Sequence, residues 1–366
     1  MRLPFGERRP EEPLPCGAIP CRLALIAVLC GCAVGSAGAA TQTRTLTALP
    51  AAGAQFHCTW SQSDARRAEI AGKLSAAGLR TVRIDIGWSS LEPRRRRISA
   101  WHLRLADRCV NLARANGMEV LVTLMWTPGW ANGGRGATVP PRRVSDFARF
   151  ARWAARHFRG RVAAWEIWNE PNLASFWKGS VRRYVRLLRA AYPAIKAGDR
   201  TAKVVFGGIV HNDDRYLRAA YRAGARGAFD VMATHPYQGV ADAAPETADD
   251  GDDWWLLTHV PAVRDVMARN GDGAKPIWFT ELGWSVHENR PDLPPWQRGV
   301  SPAEQAAYLT RAFALVGSRY PYVERAFWYK DAARSEDDEI QAGYGLLRAD
   351  LGPRPAYIAL KALLAG

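Results

Sequence analysis

The sequence predicts an α/β protein built as a single (β/α)8 barrel, the TIM barrel. Short apolar segments alternate with segments of helical periodicity from Gln55 almost to the end of the chain, and such alternation is typical of a parallel sheet covered by helices. Eight strands are predicted, which is the number that closes a barrel. An open doubly wound sheet is disfavoured, because Cys58-Thr59-Trp60-Ser61 follows the first strand in place of a glycine-rich phosphate loop.

The predicted strands are short, and strands two to eight are continuous apolar runs, as expected for strands that are buried on both faces. In chain order they are residues 55–58, 81–85, 119–124, 163–169, 203–207, 230–234, 276–280 and 325–328. Helical periodicity predicts helices between them, and a last helix after the eighth strand. These helices are residues 64–77, 101–116, 144–158, 181–197, 255–270, 302–318 and 355–364.

The N-terminal segment is typical of an export leader. Basic residues precede an apolar run from Leu23 to Val34 and small residues follow it, so residues 1–39 are predicted to be a signal peptide. Residues 40–53 are small and polar and are predicted to be a linker, which leaves residues 54–366 for the barrel. The apolar run is shorter than the roughly twenty residues that span a bilayer, so a secreted protein without an integral membrane segment is expected.

The cysteines leave two questions open. Leu29-Cys30-Gly31-Cys32 resembles the lipid-attachment motif of bacterial lipoproteins, so anchoring at the cell envelope through Cys32 is the alternative to free secretion. Cys58 and Cys109 lie beyond the leader. An oxidising compartment would permit a bridge between them, but two separate buried thiols are the favoured interpretation.

Composition excludes some classes of function. The net charge of +15 would suit nucleic-acid binding, but the basic residues are spread along predicted helix faces, which is typical of a solvated surface. No nucleic-acid partner is therefore expected, and the protein is predicted to be a monomer. Asp249-Asp250-Gly251-Asp252-Asp253 lacks the spacing of a calcium-binding hand. No metal or cofactor is predicted.

Two predicted strands end on a glutamate with aromatic neighbours. Glu170 ends strand four in Trp168-Asn169-Glu170, and Glu281 follows strand seven. Because the carboxyl ends of barrel strands meet at one face, both carboxylates are expected at the mouth of the barrel. A retaining glycosidase needs such a pair about 5–5.5 Å apart. An ionised nucleophile keeps its neighbour protonated, and the neighbour becomes a base once the nucleophile is esterified.

The segments Trp168-Asn169-Glu170-Pro171-Asn172 and Thr280-Glu281-Leu282-Gly283-Trp284 resemble glycoside hydrolase clan A, most closely its family 39 and next its family 5. The resemblance implies a retaining glycosidase that cleaves a polysaccharide or oligosaccharide by double displacement. Glu170 would be the acid/base and Glu281 the nucleophile. Asn169 would bind the sugar hydroxyl next to the reacting carbon.

Further strand-end residues extend the resemblance to most of the barrel. It implies that Tyr237 donates a hydrogen bond to the nucleophile, that Arg83 supports the nucleophile, and that Trp328 forms a platform beneath the reacting sugar. Glu166 is interpreted as a structural partner of Arg83, because it lies deeper on the same strand face as Glu170. The full set of predicted substrate-binding residues is Asn169, His235, Tyr237, Arg83, Trp328, Trp284 and Trp126.

Two other functions remain open at this stage, namely a transglycosylase and a non-catalytic glycan-binding cell-wall protein on the same barrel. The basic run from Arg94 to Arg97 lies in the second βα loop. It would suit an anionic glycan, although a solvated loop is the favoured interpretation. Family 39 enzymes usually carry an accessory β domain, for which a barrel over residues 54–366 leaves no room, so family 5 also stays open.

Overall fold

The structure, a computed structural model, describes residues 48–249 and 254–366. They form a parallel nine-stranded sheet in the order β5-β4-β3-β2-β1-β9-β8-β7-β6. A parallel bridge between Val205 and Val231 joins its two sides. The sheet is therefore a closed barrel, and the predicted α/β barrel fold is confirmed. The strands are β1 (Ala51–Gln55), β2 (Thr81–Gly87), β3 (Glu119–Met125), β4 (Ala164–Ile167), β5 (Lys203–Phe206), β6 (Ile209–Val210), β7 (Met232–His235), β8 (Ile277–Leu282) and β9 (Val323–Trp328).

Helices lie between the strands, and the longest ones cover the outside of the sheet. Serine side chains cap the N-termini of four of them and satisfy backbone N–H groups there. The helices are α1 (Asp64–Ala76), α2 (Trp88–Leu91), α3 (Ala100–Ala115), α4 (Gly129–Asn132), α5 (Val144–His157), α6 (Val181–Gly198), α7 (Asp214–Arg222), α8 (Val260–Arg269), α9 (Pro302–Arg319), α10 (Glu339–Gly343) and α11 (Pro355–Ala365).

Nine strands appear where eight were predicted, because the fifth strand is interrupted. Its first part, β5, pairs with β4, and its second part, β6, pairs with β7. Gly207 and Gly208 lie between the two parts. A Cβ atom on Gly208 would collide with the His235 ring and with the Thr280 hydroxyl, so only glycine permits this close approach.

Two other predictions needed correction. The first strand begins at Ala51 and ends at Gln55, whereas the prediction began at Gln55. Its alanines and glycine give a weak strand pattern, and it begins inside the segment assigned to the linker. Helix α7 was not predicted, because it has only nine residues and is highly polar.

The buried side chains form two layers. Seven of them fill the inside of the barrel, including Leu121, Trp278 and Phe327. A larger cluster lies between the sheet and the surrounding helices. The described residues contain no helix that is long and apolar enough to cross a membrane. The predicted leader, with Cys32, lies outside the described residues.

Cys58 and Cys109 form a disulfide, with their Cα atoms 5.7 Å apart. The favoured prediction of two separate thiols was therefore wrong, because their proximity depends on how α3 packs beside the end of β1. The bridge links the loop after β1 to the middle of α3. It closes a sequence separation of 51 residues.

Removing this bridge is expected to destabilise the barrel. A loop of this length implies a loss of about 2–4 kcal/mol in the free energy of unfolding for Cys109→Ser, because the unfolded chain is no longer constrained. Thermal unfolding with and without reductant measures the effect. The wild type should lose stability in reductant while Cys109→Ser should not respond. Equal melting temperatures for both proteins under oxidising conditions would contradict the bridge.

Candidate active site

Glu170 and Glu281 lie together at the carboxyl end of the barrel. Glu281 is on β8 and Glu170 follows β4. One carboxylate oxygen of each residue and one ring nitrogen of His235 all lie within 4.8 Å of one another. The predicted convergence of the two glutamates is therefore present, and their separation is in the range at which one charge strongly affects the other.

Arg83 is the buried cation that organises this end of the barrel. Its guanidinium donates to Oε2 of Glu166 at 2.7 Å and to Oε1 of Glu281 at 2.6 Å. It also donates to the side-chain oxygens of Asn169 and Gln55. Burial lowers the pKa of Arg83, but the charges of Glu166 and Glu281 outweigh it and raise the pKa above its usual value.

Glu166 is fully buried and is ionised because its oxygens are surrounded by donors. Oε2 accepts from the Thr123 hydroxyl at 2.6 Å, and Oε1 accepts from the Thr280 hydroxyl at 2.7 Å. Burial raises the pKa of Glu166, but Arg83 and these donors lower it below its usual value. The interpretation of Glu166 as a structural partner of Arg83 agrees with these contacts.

His235 connects this network to Glu170. Its Nδ1 is 2.9 Å from Oε1 of Glu170 and its Nε2 is 3.0 Å from Oγ1 of Thr280. The Thr280 hydroxyl proton is directed to Glu166, so Thr280 offers His235 only a lone pair and Nε2 carries a proton. Burial lowers the pKa of His235, but Glu281 and Glu170 raise it above its usual value.

Tyr237 donates from its hydroxyl to Oε2 of Glu281 at 3.0 Å. Burial and the charge of Glu281 raise the pKa of Tyr237 well above its usual value, which keeps the phenol protonated as a donor. Both oxygens of Glu281 therefore accept from protein donors, one from Arg83 and one from Tyr237. The contacts that the resemblance implied for Arg83 and Tyr237 are thus present.

A cavity of about 540 Å³ opens from the two glutamates, a size typical of small-molecule sites. Its walls come from the carboxyl ends of β1 to β4, from α2 and α3, and from Glu281 and Tyr329. Asn169 and Trp126 line it, as predicted. The lining residues are His57, Thr59, Trp60, Asp85, Ile86, Gly87, Ser90, Leu91, Trp101, His102, Leu105, Ala106, Met125, Trp126, Asn169, Glu170, Phe176, Glu281 and Tyr329.

Several predicted substrate-binding residues are buried behind the cavity. The rings of Trp328 and Trp284 pack against each other with centroids 6.2 Å apart, and neither lines the cavity. A buried ring offers no face to a sugar. The predictions that Trp328 and Trp284 bind the substrate were therefore wrong. Arg83 and His235 are also fully buried, and they act on the two glutamates rather than on a ligand.

Asp85, His57 and Tyr329 are among the cavity residues that were not predicted as site residues. Asp85 lies near the carboxyl end of β2. Its Oδ1 has no hydrogen-bond partner, although it is buried and lies 3.8 Å from Arg83 Nη1. Burial raises the pKa of Asp85 despite the nearby guanidinium. His57 is held by Asp331, whose Oδ1 lies 2.9 Å from its Nδ1. Tyr329 follows Trp328 by one residue, so a prediction shifted by one position along this strand end would have found it.

The basic run Arg94–Arg97 does not line the cavity.

Among the described residues, Glu170, His235 and Glu281 are the one group whose geometry could hold a metal ion. Hydrogen bonding accounts for the same geometry, since both ring nitrogens of His235 have partners at Glu170 and Thr280. A metal would have to displace these contacts.

The comparisons with known proteins identify the family. A sequence model described as cellulase (glycosyl hydrolase family 5) matches residues 38–307, which is well over half of the chain. The chain belongs to glycosyl hydrolase family 5. This membership places it in glycoside hydrolase clan A. The sequence analysis named this family second.

Among curated proteins, the chain is similar to the β-xylosidase of Caldicellulosiruptor saccharolyticus, with 24% identity over 282 residues that cover 70% of this chain and 55% of the relative. A β-xylosidase of Geobacillus stearothermophilus is 24% identical over 251 residues, which cover 62% of this chain and 47% of that protein. The chain thus spans about half the length of these curated relatives.

Solved structures share the fold. A family 39 glycoside hydrolase from Bacteroides cellulosilyticus WH2 has a TM-score of 0.69 at 22% identity, covering 87% of this chain and 64% of that chain. A GH5_18 protein from Streptomyces cattleya, in complex with GlcNAc, has a TM-score of 0.65 at 18% identity, covering 87% and 80%. The barrel is thus common to both families that the sequence motifs suggested.

Removing the buried guanidinium of Arg83 tests how the protein holds its buried carboxylates. Arg83→Met is expected to lower the free energy of unfolding by about 3–5 kcal/mol at pH 7, because it leaves Glu166 buried without a cation. Since the folded-state pKa of Glu166 is lowered, its stabilising contribution is present above the usual carboxyl pKa and is lost as pH falls through the folded value. The difference between wild type and variant should therefore narrow on acidification.

Urea unfolding of both proteins between pH 7 and pH 3, a range that extends below the usual carboxyl pKa, measures this difference. The double variant Arg83→Met/Glu166→Gln is the control, and it should recover part of the lost stability because the unpaired charge is gone. A pH-independent difference, or a double variant no more stable than Arg83→Met, would contradict the assigned charges.

Proposed function

We propose that this protein is a retaining β-glycosidase that hydrolyses β-xylosidic bonds, with Glu281 as the nucleophile and Glu170 as the acid/base. The observation that carries the proposal is the different environment of two carboxylates whose oxygens lie within 4.8 Å. Glu281 accepts from a guanidinium and a phenol, whereas Glu170 contacts a histidine. Close carboxylates in unlike environments take different protonation states, as the double-displacement mechanism requires.

The contacts of Glu281 support its role as the nucleophile. Arg83 and Tyr237 each donate to one of its oxygens, an arrangement that stabilises a carboxylate anion. The side chain is also largely shielded from water, with 12% of its surface exposed. The fixed donors hold the anion at the cavity wall, where a sugar can approach it, without the need to reorganise a hydration shell.

The contacts of Glu170 support its role as the acid. Because Nε2 of His235 keeps its proton toward Thr280, the 2.9 Å contact between Nδ1 and Oε1 of Glu170 holds one further proton that the two groups share. When that proton is on Glu170, the neutral ring accepts from the carboxylic acid. The pair therefore stores the proton that a departing oxygen needs.

The reaction has two balanced steps. In the first, a Glu281 oxygen forms a bond to the anomeric carbon while the bond from that carbon to the departing oxygen breaks, and Glu170 gives this oxygen its proton. Esterification removes the charge of Glu281, so Glu170, now ionised, can act as a base. In the second, a water oxygen bonds to the anomeric carbon, its proton goes to Glu170, and the Glu281 ester breaks.

The choice of a β-xyloside rests on the curated relatives, both of which are β-xylosidases. The matches to these two relatives cover 70% and 62% of this chain, so the substrate is part of the proposal. A cavity of about 540 Å³ with both polar and aromatic walls supports a sugar ligand.

Substitution of the two glutamates tests the assigned roles with 4-nitrophenyl β-D-xylopyranoside and xylobiose. Glu281→Ala should lower kcat/KM on the order of 10⁴-fold for both substrates, because no covalent step remains. Glu170→Ala should lower it by about 10²–10⁴-fold for xylobiose. Its effect on the aryl glycoside should be smaller, since nitrophenolate departs without a proton.

The matched control is Glu336→Ala, which removes an exposed glutamate that does not line the cavity, and it should retain wild-type rates. Azide should restore turnover in Glu281→Ala with an α-glycosyl azide as product. Equal losses on both substrates in Glu170→Ala, or an active Glu281→Ala without added anion, would overturn the roles.

We also propose that Asp85 binds a sugar hydroxyl, because the residue lines the cavity and its Oδ1 has no hydrogen-bond partner. Asp85→Asn keeps the shape and can still accept from Gln55, which contacts Oδ2 at 2.9 Å. We expect a loss of about 10–100-fold in kcat/KM for xylobiose with little change in melting temperature, since hydrogen bonds to charged groups contribute about 1.5–3 kcal/mol. An unchanged kcat/KM would remove Asp85 from the site.

A further inference from the structure

The catalytic cavity borders a second depression. A cleft of about 330 Å³ is lined by Thr59, Trp60, Ser61, Gln62, Arg67, Trp101, Arg104, Leu105 and Arg108. Four of its residues, Thr59, Trp60, Trp101 and Leu105, also line the cavity that contains Glu170 and Glu281. The two depressions therefore share a wall, and a ligand chain that leaves the glutamates in this direction crosses that wall.

The shared wall carries two of the most exposed large apolar side chains of the described residues. Trp60 is 41% exposed and Trp101 is 60% exposed. Trp60 belongs to the loop after β1, and Trp101 is in the first turn of α3, one helical turn before Leu105. Exposed tryptophans next to an active-site cavity are costly in water, and their flat faces suit the apolar faces of pyranose rings.

Side-chain contacts and a disulfide hold the two tryptophans of the shared wall in place. The guanidinium of Arg334 lies 4.4 Å from the centroid of the Trp60 ring, and the His57 ring meets it edge-on at 4.6 Å. The disulfide between Cys58 and Cys109 joins the loop that carries Trp60 to the helix that carries Trp101. The two rings are thus presented from elements that are covalently tied, which lowers the entropy lost when a ligand binds.

Polar groups flank the rings within the cleft. Ser61, Gln62 and Arg104 provide hydroxyl, amide and guanidinium groups, which are the partners that sugar hydroxyls use. Arg67 and Arg108 both pair with Asp64, so one carboxylate offsets part of the positive charge of the three arginines in the cleft. This combination of stacking faces and hydrogen-bonding groups fits a glycan chain.

We propose that Trp60 and Trp101 form an accessory subsite that binds sugar units of a xylo-oligosaccharide beyond those held in the catalytic cavity. The proposal rests on the proposed function for the identity of the sugar and for the direction of the chain from Glu281. It makes the protein an enzyme for chains of several sugars, whose rate on a long chain depends on contacts at the wall between the two depressions.

The experiment compares wild type, Trp60→Ala, Trp101→Ala and Trp101→Phe on 4-nitrophenyl β-D-xylopyranoside and on xylohexaose. Each alanine variant should lower kcat/KM for xylohexaose about tenfold, because the loss of an aromatic contact lowers affinity by about that factor. The loss on the short aryl glycoside should be clearly smaller, because this substrate is too short to extend from the glutamates across the shared wall. Trp101→Phe should retain most activity on xylohexaose, since a stacking face remains.

Trp296→Ala is the matched control, because Trp296 is 53% exposed and lines neither depression. It should leave both rates unchanged. Equal losses on both substrates in the alanine variants would mean a structural role, and an equal loss in the control would mean that the effect is not local. Either outcome, or unchanged rates on xylohexaose, overturns the subsite.

Calorimetric binding of xylohexaose and xylobiose to Glu281→Gln separates this inference from the proposed catalytic roles. Xylohexaose should bind more tightly than xylobiose, and Trp101→Ala in the same background should remove the advantage. A protein that turns over neither substrate but shows this pattern would refute the proposed reaction and keep the subsite. Equal affinities for the two sugars would refute the subsite even in an active enzyme.

Discussion

The arrangement of this active site depends on the burial of one guanidinium, that of Arg83, among the carboxylates of the barrel. An arginine removed from water is costly unless its donors find anionic partners. Here Glu166 and Glu281 supply the charge, and Asn169 and Gln55 accept further hydrogen bonds. These partners lie on β1, β4 and β8 or directly after β4. The hydrogen bonds of one cation therefore fix the relative positions of several groups at this end of the barrel.

A second chain of contacts gives the two glutamates different surroundings. Glu166 accepts a hydrogen bond from the Thr280 hydroxyl, so the Thr280 oxygen accepts one from Nε2 of His235. Nδ1 of His235 in turn contacts Glu170. Arg83 and Tyr237 instead donate to Glu281. The break between β5 and β6 is part of the same arrangement, because only glycine at position 208 leaves space for the His235 ring beside Thr280. Fold and electrostatics are thus set by the same few contacts.

Much of this could be predicted from the sequence, because some of the signals are local. Apolar runs that end in Asn169-Glu170 and Thr280-Glu281 located both glutamates, and the barrel geometry brought them together. Burial of the tryptophans could not be predicted in the same way. Trp328 and Trp284 end or follow strands like Trp126 does, yet only Trp126 lines the cavity, since exposure depends on how loops from distant parts of the chain cover each ring. The Cys58–Cys109 bridge and the orphaned oxygen of Asp85 likewise arise from packing between remote segments.

The most direct test of the account is covalent trapping with an activated 2-deoxy-2-fluoro-β-xyloside, followed by mass spectrometry of the digested protein. The fluorine slows both steps, and a good leaving group lets the glycosyl-enzyme accumulate. The account predicts one added sugar per chain, in the peptide that contains Glu281 and on that residue. A label on Glu170 or on Asp85 would contradict the assigned roles, and inactivation without a covalent adduct would contradict the double-displacement mechanism itself.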